Sequence, residues 1–147
     1  MLYIFMGQSC TGKSTAAEKL KQLKDVEIFA GKDYLRMAKN ENEAWGLFYD
    51  RLLNAALNKG SIVYIISEIE QLKRIGTIED ASKVKFTASL DIIKGRFSKR
   101  MGGKLPQPVE KMLERQYAVW QNIEGNMNID TSQNDDIEEI ARKIAGL

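Results

Sequence analysis

Residues 2–15 read LYIFMGQSCTGKST: an apolar run from Leu2 to Met6, then Gly7 and Gly12 five apart, then Lys13, Ser14 and Thr15. A short β-rich apolar run bounded by glycine reads as a buried strand. The glycines let the following backbone curl so that successive N–H groups point into one concavity, a nest for anionic oxygens. A helix starting near Lys13 adds its unpaired N–H groups and the positive end of its dipole.

Gly7-Gln8-Ser9-Cys10-Thr11-Gly12-Lys13-Ser14 satisfies G-x-x-x-x-G-K-[ST], the phosphate-binding loop (Walker A). In such a loop Lys13 reaches the β- and γ-phosphates, and the Ser14 hydroxyl joins the shell of a Mg²⁺ ion. The sequence therefore predicts binding of a nucleoside triphosphate through residues 7–15. Thr15 is either a plain helix residue or a weak contact to the α-phosphate. The helix N-terminus could lower the pKa of Cys10; the plainer expectation is a small loop residue with its side chain turned outward.

The rest of the chain alternates two periodicities. β-rich runs occur at Val26–Ala30, Ile62–Ile66, Val84–Ala88 and Met127–Asp130. Between them lie helical stripes: Ala16, Leu20 and Leu23; Ala44, Leu47, Phe48, Leu52, Ala55 and Ala56, stopped by Gly60; and Leu90, Ile93 and Phe97. A fourth stripe, Val109, Met112, Leu113, Gln116, Tyr117 and Trp120, is entered through Pro108 in a first-turn position. In the last helix Asn134 is the expected cap, Asp135 and Asp136 complement the positive end, and Ile137, Ile140, Ala141 and Ile144 face inward. Strands alternating with helices predict an α/β fold: one domain over 1–147, with five parallel strands covered on both faces. Ligands in such folds sit beyond the carboxyl ends of the strands.

Bulk properties narrow the function. The 147 residues suffice for a single core, and a net charge of +2 neither demands nor excludes an anionic partner. A nucleic-acid-binding protein would usually be more basic in bulk, unless a local patch hides in this average, so nucleic acid is not the expected partner. One cysteine excludes an intrachain disulfide. No stretch approaches the ~20 apolar residues that span a bilayer, and the first apolar run lacks the form of a signal peptide, so the expected address is the cytoplasm. Histidine is absent, leaving carboxylates, Lys, Arg, hydroxyls, backbone amides or a metal to do chemistry.

The signatures of small GTPases are missing: Asn58-Lys59-Gly60-Ser61 lacks the aspartate of N-K-x-D, and no D-x-x-G occurs. Motor-type ATPases end an apolar strand in an acidic pair, whereas Val63-Tyr64-Ile65-Ile66 is followed by Ser67 and Glu68. Glu68 could hold a metal through water or orient a nucleophile; otherwise it is the first exposed residue of the next helix.

The remaining pattern resembles the small kinases of the nucleoside monophosphate kinase and shikimate kinase group. Gly31-Lys32-Asp33-Tyr34-Leu35-Arg36 is similar to the G-D-x-L-R segment that opens the acceptor-binding region of adenylate kinases. Residues 96–104, RFSKRMGGK, resemble their short arginine-bearing lid. Glu114-Arg115-Gln116-Tyr117 resembles the helix that follows the lid in shikimate kinases, and Asn128-Ile129-Asp130-Thr131-Ser132 the strand end beside the adenine. The D-G-F-P-R segment of adenylate kinases and the glycine run of shikimate kinases are both absent after the third strand.

The resemblance implies a three-layer P-loop fold with a short lid at about 97–109 and an acceptor-binding region at about 31–58. It implies ATP and Mg²⁺ as donor and cofactor, a small anionic metabolite or nucleotide as acceptor, and a monomer or homodimer. Arg96 would stack on adenine, and Arg100 or Lys104 would neutralise the γ-phosphate on lid closure. Asp33 would accept or orient an acceptor hydroxyl proton. Arg36 and Arg115, and less directly Arg51, would pair with an anionic group on the acceptor. Plainer readings stand beside these. Lys94, Arg96, Lys99, Arg100 and Lys104 would form a solvated basic face; Asp33 would cap the next helix. Arg115 would pair with Glu110 or Glu114, and Trp45, Trp120 and Tyr117 would pack. Two other functions fit the same loop: a nucleotide-dependent switch with no acceptor, and a kinase for a polynucleotide 5′-hydroxyl.

Overall fold

A computed structural model describes residues 1–133 and 136–147. Five strands, β1 (Leu2–Met6), β2 (Glu27–Ala30), β3 (Ile62–Ile66), β4 (Ala81–Thr87) and β5 (Met127–Asp130), form one parallel sheet in the order β2-β3-β1-β4-β5. Leu2 stands opposite Ile62 on one side and Ala81 on the other; Glu27 pairs with Ile62 and Val84 with Met127. The helices are α1 (Lys13–Leu23), α2 (Glu41–Ala56), α3 (Ile69–Ile75), α4 (Leu90–Arg100), α5 (Gln107–Gln121) and α6 (Ile137–Ala145), with a 3₁₀ turn at Asp33–Met37.

The continuous apolar run of β1 follows from its central place. Leu2, Ile4 and Met6 enter the layer built with Phe48 and Leu52 of α2 and Ile75 of α3. Tyr3 and Phe5 enter the opposite layer with Ala16 and Leu20 of α1 and Ile140 and Ile144 of α6. All five are buried, each stabilising the fold by roughly 2 kcal/mol relative to exposure. β3 divides the same way, Tyr64 to one layer and Val63 and Ile65 to the other. A third, smaller cluster of Cys10, Ala88, Ile93 and Leu113 joins α4 and α5 to the Gly7–Gly12 loop. The two helices are also tied by Lys94, whose Nζ lies 3.1 Å from Glu110 and 3.0 Å from Glu114. Lys94 thus takes the carboxylates that the sequence offered to Arg115, and both raise its pKa.

The fold class and strand count agree with the sequence reading; several details differ. β2 begins at Glu27, although Val26 is buried, and β4 begins three residues earlier than expected and ends at Thr87. Leu23 and Leu47, assigned to inward stripes, are about half exposed: both fall at the stripe's edge as the 3.6-residue repeat drifts. α2 stops before Gly60, because Asn58 adopts the left-handed conformation (φ 62°) and the Lys59 N–H bonds back to Asn54 O. The helix expected after Glu68 is the short α3, with Glu68 as its N-cap residue, and the one expected after Asp33 is a 3₁₀ turn that Asp33 begins rather than caps. α6 is capped by Asp136, which accepts from the Glu138 N–H at 3.0 Å; Asn134, the expected cap, and Asp135 lie outside the described residues. Pro108 sits in the first turn of α5 as expected. No described helix is long and apolar enough to cross a membrane.

Candidate phosphate-binding site

The loop between β1 and α1 lies at the carboxyl edge of the sheet, where its glycines do distinct jobs. Gly7 has φ 140°, and a Cβ there would stand 2.2 Å from the Phe86 carbonyl oxygen of β4, so only glycine fits. Gly12 (φ 91°) hands the chain to α1, and a Cβ there would meet the Thr131 methyl at 3.5 Å.

Cys10 corrects the sequence reading. Its left-handed backbone (φ 67°) turns the side chain inward, onto Ala88, Ile93 and Leu113, leaving it 6% exposed. The loop thus presents main chain, rather than a thiol, to the outside.

A network behind the loop fixes this shape. Gln8 is buried and donates from Nε2 to Leu113 O at 2.8 Å; Thr11 Oγ1 donates to Gln8 O at 2.7 Å. From α4, Arg96 donates to Cys10 O (3.0 Å), Thr131 Oγ1 (3.0 Å) and Thr131 O (2.7 Å), while Thr131 Oγ1 donates to Thr11 O at 2.9 Å. Arg96 is therefore not part of a solvated basic face. Asp130, at the end of β5, is held below the usual carboxylate range by the Ser132 side chain and by the Ser132 N–H, which donates to it at 2.8 Å.

Lys13 is the electrostatic centre. It is 5% exposed, and Nζ donates to Gly7 O (2.6 Å) and Gln8 O (2.7 Å), carbonyls rather than carboxylates. Burial pushes its pKa from 10.5 down to about 7; Cys10 opposes the shift and nearby Arg100 adds to it.

A cavity of about 250 Å³ opens over the loop, floored by residues 9–15 and walled by Glu68, Gln71 and Arg100. Ser14 and Thr15, both exposed in the first turn of α1, lie on its lining. A second cavity of about 240 Å³ adjoins it and shares Gly31, Glu68 and Gln71. A third, also about 240 Å³, lies on the other side, among Thr15, Arg96, Arg100, Thr131 and Ile137.

The structure thus gathers residues 9–15, Arg96, Arg100 and Glu68 around adjoining cavities. Gly7 and Gln8 lie just behind, supplying the carbonyls that hold Lys13. Glu68 is the N-cap residue of α3, and Gln71 Oε1 accepts from the Ser67 and Glu68 N–H groups, both at 3.3 Å. The other candidates sit elsewhere. Asp33 accepts from the Ala30 N–H at 2.9 Å and pairs with Arg36 at 3.1 Å. Arg51 pairs with Glu27 and lies over the Phe29 ring. Arg115 is exposed on α5, and Lys104 is exposed in the loop before it. None of these five lines the three cavities. Trp120 and Tyr117 pack as expected, Trp120 also donating to Ser67 O at 3.0 Å. Trp45 packs too, but it also walls the second cavity with Tyr34 and Arg74. Sequence reading passed over Arg74 and Gln71; the three-residue spacing from Glu68 to Gln71 was the one signal for the latter.

No protein-family model matches the chain, and no curated protein sequence matches it. Solved structures do. The Bacillus subtilis YorR protein, in complex with phosphorylated GDP, superposes with a TM-score of 0.65 at 21% identity over 99% of this chain and 94% of its own. Shikimate kinase from Acinetobacter baumannii, in complex with shikimate, gives 0.64 at 16% identity over 99% and 91%. A Janibacter sugar kinase gives 0.62 at 17% identity over 98% and 91%. The chain shares the fold of these structures, two of them kinases. At these identities the likeness is one of architecture, and it covers nearly the whole of each chain.

Proposed function

We propose that the protein is a kinase that moves the γ-phosphoryl group of ATP, with Mg²⁺, to a small, anionic acceptor. One observation carries this reading: a buried lysine in a glycine nest is held only by carbonyl oxygens, with its pKa driven down to about 7. A polyphosphate supplies the negative charge that such an ammonium lacks.

In this reading the N–H groups of residues 9–14 and Lys13 hold the β- and γ-phosphates. Arg100, on the rim of the first and third cavities, offsets charge on the transferred group. Arg96, Thr131 and Ile137 form the base side of the site, and Lys104 approaches from the loop before α5 as the lid closes.

The residues fit magnesium. Ser14 offers an exposed hydroxyl, and Glu68 faces it as the hard oxygen donor across the cavity. Among the described residues no group of three or more His, Cys, Asp or Glu forms a metal cage, which suits an ion held largely by phosphate and water. The ion would neutralise phosphate charge. Glu68 serves either its water shell or the incoming acceptor. Asp33 would have to leave Ala30 and Arg36 to reach an acceptor, so we assign it the positioning of the Gly31 turn. Cytoplasmic ATP is the natural supply.

The second cavity, joined to the first, favours an acceptor-using enzyme over a switch. A γ-labelled ATP screen against metabolites and nucleoside monophosphates tests this: label should pass to one class of acceptor. Lys13→Ala should abolish the ATP-induced rise in Tm; an unchanged rise would refute the site.

A further inference from the structure

The second cavity carries chemistry of its own. Arg74 of α3 lies over Trp45, its guanidinium carbon 3.8 Å from the ring centroid, and 5.7 Å from that of Tyr34. Its Nη1 donates to the Tyr34 hydroxyl at 2.9 Å. Tyr34 is itself fixed: it is 3% exposed and stacks on Phe48 at 5.6 Å, with 15° between the planes. An exposed arginine usually samples many rotamers; two aromatic faces and a hydrogen bond hold this one in place before any ligand arrives. With only Nη1 engaged, a guanidinium held over a ring keeps further N–H donors for a planar oxyanion, which it can meet bidentately.

Charge is unevenly distributed along the cavity. The neck shared with the nucleotide site is made by Gly31, Glu68 and Gln71, with one carboxylate and no cation. The outer part holds two cations, Arg74 and Lys32, and one carboxylate, Glu70, which pairs with Lys73 at 3.7 Å. A phosphate at the neck would meet the Glu68 carboxylate, whereas a hydroxyl would be hydrogen-bonded by it. Tyr64 closes the floor as a neutral phenol, its pKa pushed up to about 12 by burial and its hydroxyl donating to Gly31 O at 2.8 Å.

The geometry points to a two-ended acceptor: a hydroxyl that enters the neck beside Glu68, and a carboxylate or phosphate that Arg74 holds against Trp45 and Tyr34. This rests on the kinase reading and assigns its acceptor class. The acceptor hydroxyl oxygen forms the new bond to the γ-phosphorus. The bond from that phosphorus to the β–γ bridging oxygen breaks, ADP leaves, and the hydroxyl proton passes by way of Glu68 to solvent. At about 240 Å³ the cavity takes a compact body rather than a polymer end.

The test measures ADP release from ATP and Mg²⁺ with four sets of compounds: small hydroxy-carboxylates, sugar and polyol phosphates, uncharged sugars, and nucleoside monophosphates. Stimulation by members of either of the first two sets, and not by their uncharged counterparts, is the expected result; which set responds identifies the oxyanion. With the best acceptor, Arg74→Gln should raise its KM about 100-fold, and Arg74→Lys about tenfold, with the KM for ATP unchanged in both. The unchanged ATP value shows that each variant is folded. Equal stimulation by uncharged sugars, stimulation by nucleoside monophosphates alone, an acceptor KM indifferent to Arg74, or no stimulation by any acidic compound would overturn the assignment. In each of these cases a wild-type Tm that still rises with ATP leaves the nucleotide site standing. Loss of that rise would instead remove the kinase reading itself.

Discussion

If Lys13 holds a nucleotide as proposed, binding is linked to pH in a measurable way. In the ligand-free protein its pKa is about 7, against 10.5 when unperturbed, so the folded state disfavours the ammonium by an amount on the order of 5 kcal/mol. The sign follows from proton counts. Between pH 7 and 10.5 the unfolded chain binds more protons than the folded one, so this burial costs most stability below about pH 7, and the cost fades as pH rises. Lys13→Met removes the charge and should stabilise the ligand-free protein by a few kcal/mol at pH 6.5, with the advantage shrinking towards pH 10, by urea denaturation. ATP works in the opposite direction: phosphate oxygens beside Nζ return the pKa to the ordinary lysine range. Binding should therefore take up about half a proton at pH 7 and about 0.9 at pH 8, where ATP itself no longer titrates. Isothermal calorimetry in buffers of different ionisation enthalpy reads this number directly. Absence of proton uptake at pH 8, or a Lys13→Met protein less stable than wild type at pH 6.5, would refute the reasoning.

Other substitutions separate the loop's frame from its chemistry. Gly7→Ala forces a Cβ to within 2.2 Å of Phe86 O at φ 140° and should cost at least about 3 kcal/mol by denaturant unfolding. Gly95→Ala in α4, with nothing within 4 Å of the new Cβ, should stabilise by about 1 kcal/mol in the same assay. Arg96→Ala removes three hydrogen bonds that tie the loop to β5 and should cost roughly 2–4 kcal/mol, with weaker ATP binding by calorimetry. Arg100→Ala, which leaves that frame intact, should lower kcat by about 10³ with the KM for ATP changed only a few-fold in steady-state kinetics.

What the sequence made legible follows from how each part is built. The strands were readable because β1 and β3 are buried on both faces and so are apolar throughout. β4 hid its first half, Ala81-Ser82-Lys83, in a partly exposed, polar stretch. The phosphate loop was readable because main-chain amides make the nest, and their curl demands glycine and lysine at fixed spacing. Cys10 was misread for the same reason: sequence announces a left-handed backbone through glycine, and a cysteine at φ 67° gives no such sign. The second cavity was nearly invisible. Its parts come from the 3₁₀ turn, α2, β3 and α3, in sequence separations that no local pattern connects. Of the three arginines that sequence did nominate for an acceptor, Arg36 and Arg51 are taken by nearby carboxylates, Asp33 and Glu27, and Arg115 is exposed on α5.

That contrast bears on how the site operates. The loop, the proposed donor half, is held ready from behind: Gln8 is anchored to α5, Cys10 and Thr131 to Arg96, and Thr11 to Thr131. Only Lys13 must change partners when phosphate enters, exchanging the Gly7 and Gln8 carbonyls for anionic oxygens while the amides stay where they are. Little reorganisation is then left for the moment of reaction, the condition under which fixed dipoles stabilise a developing charge most. The second cavity, the proposed acceptor half, reaches the same end by packing: Tyr34 on Phe48 and Arg74 on Trp45 order a flexible cation with aromatic faces in place of a glycine loop. Glu68 and Gln71 lie where the halves meet, at the start of α3, so a shift of that helix would alter both cavities together. Binding at one site should therefore be felt at the other: an acidic acceptor that tightens the α3 start should lower the KM for ATP, and at saturating acceptor Arg74→Gln should keep that lowered value.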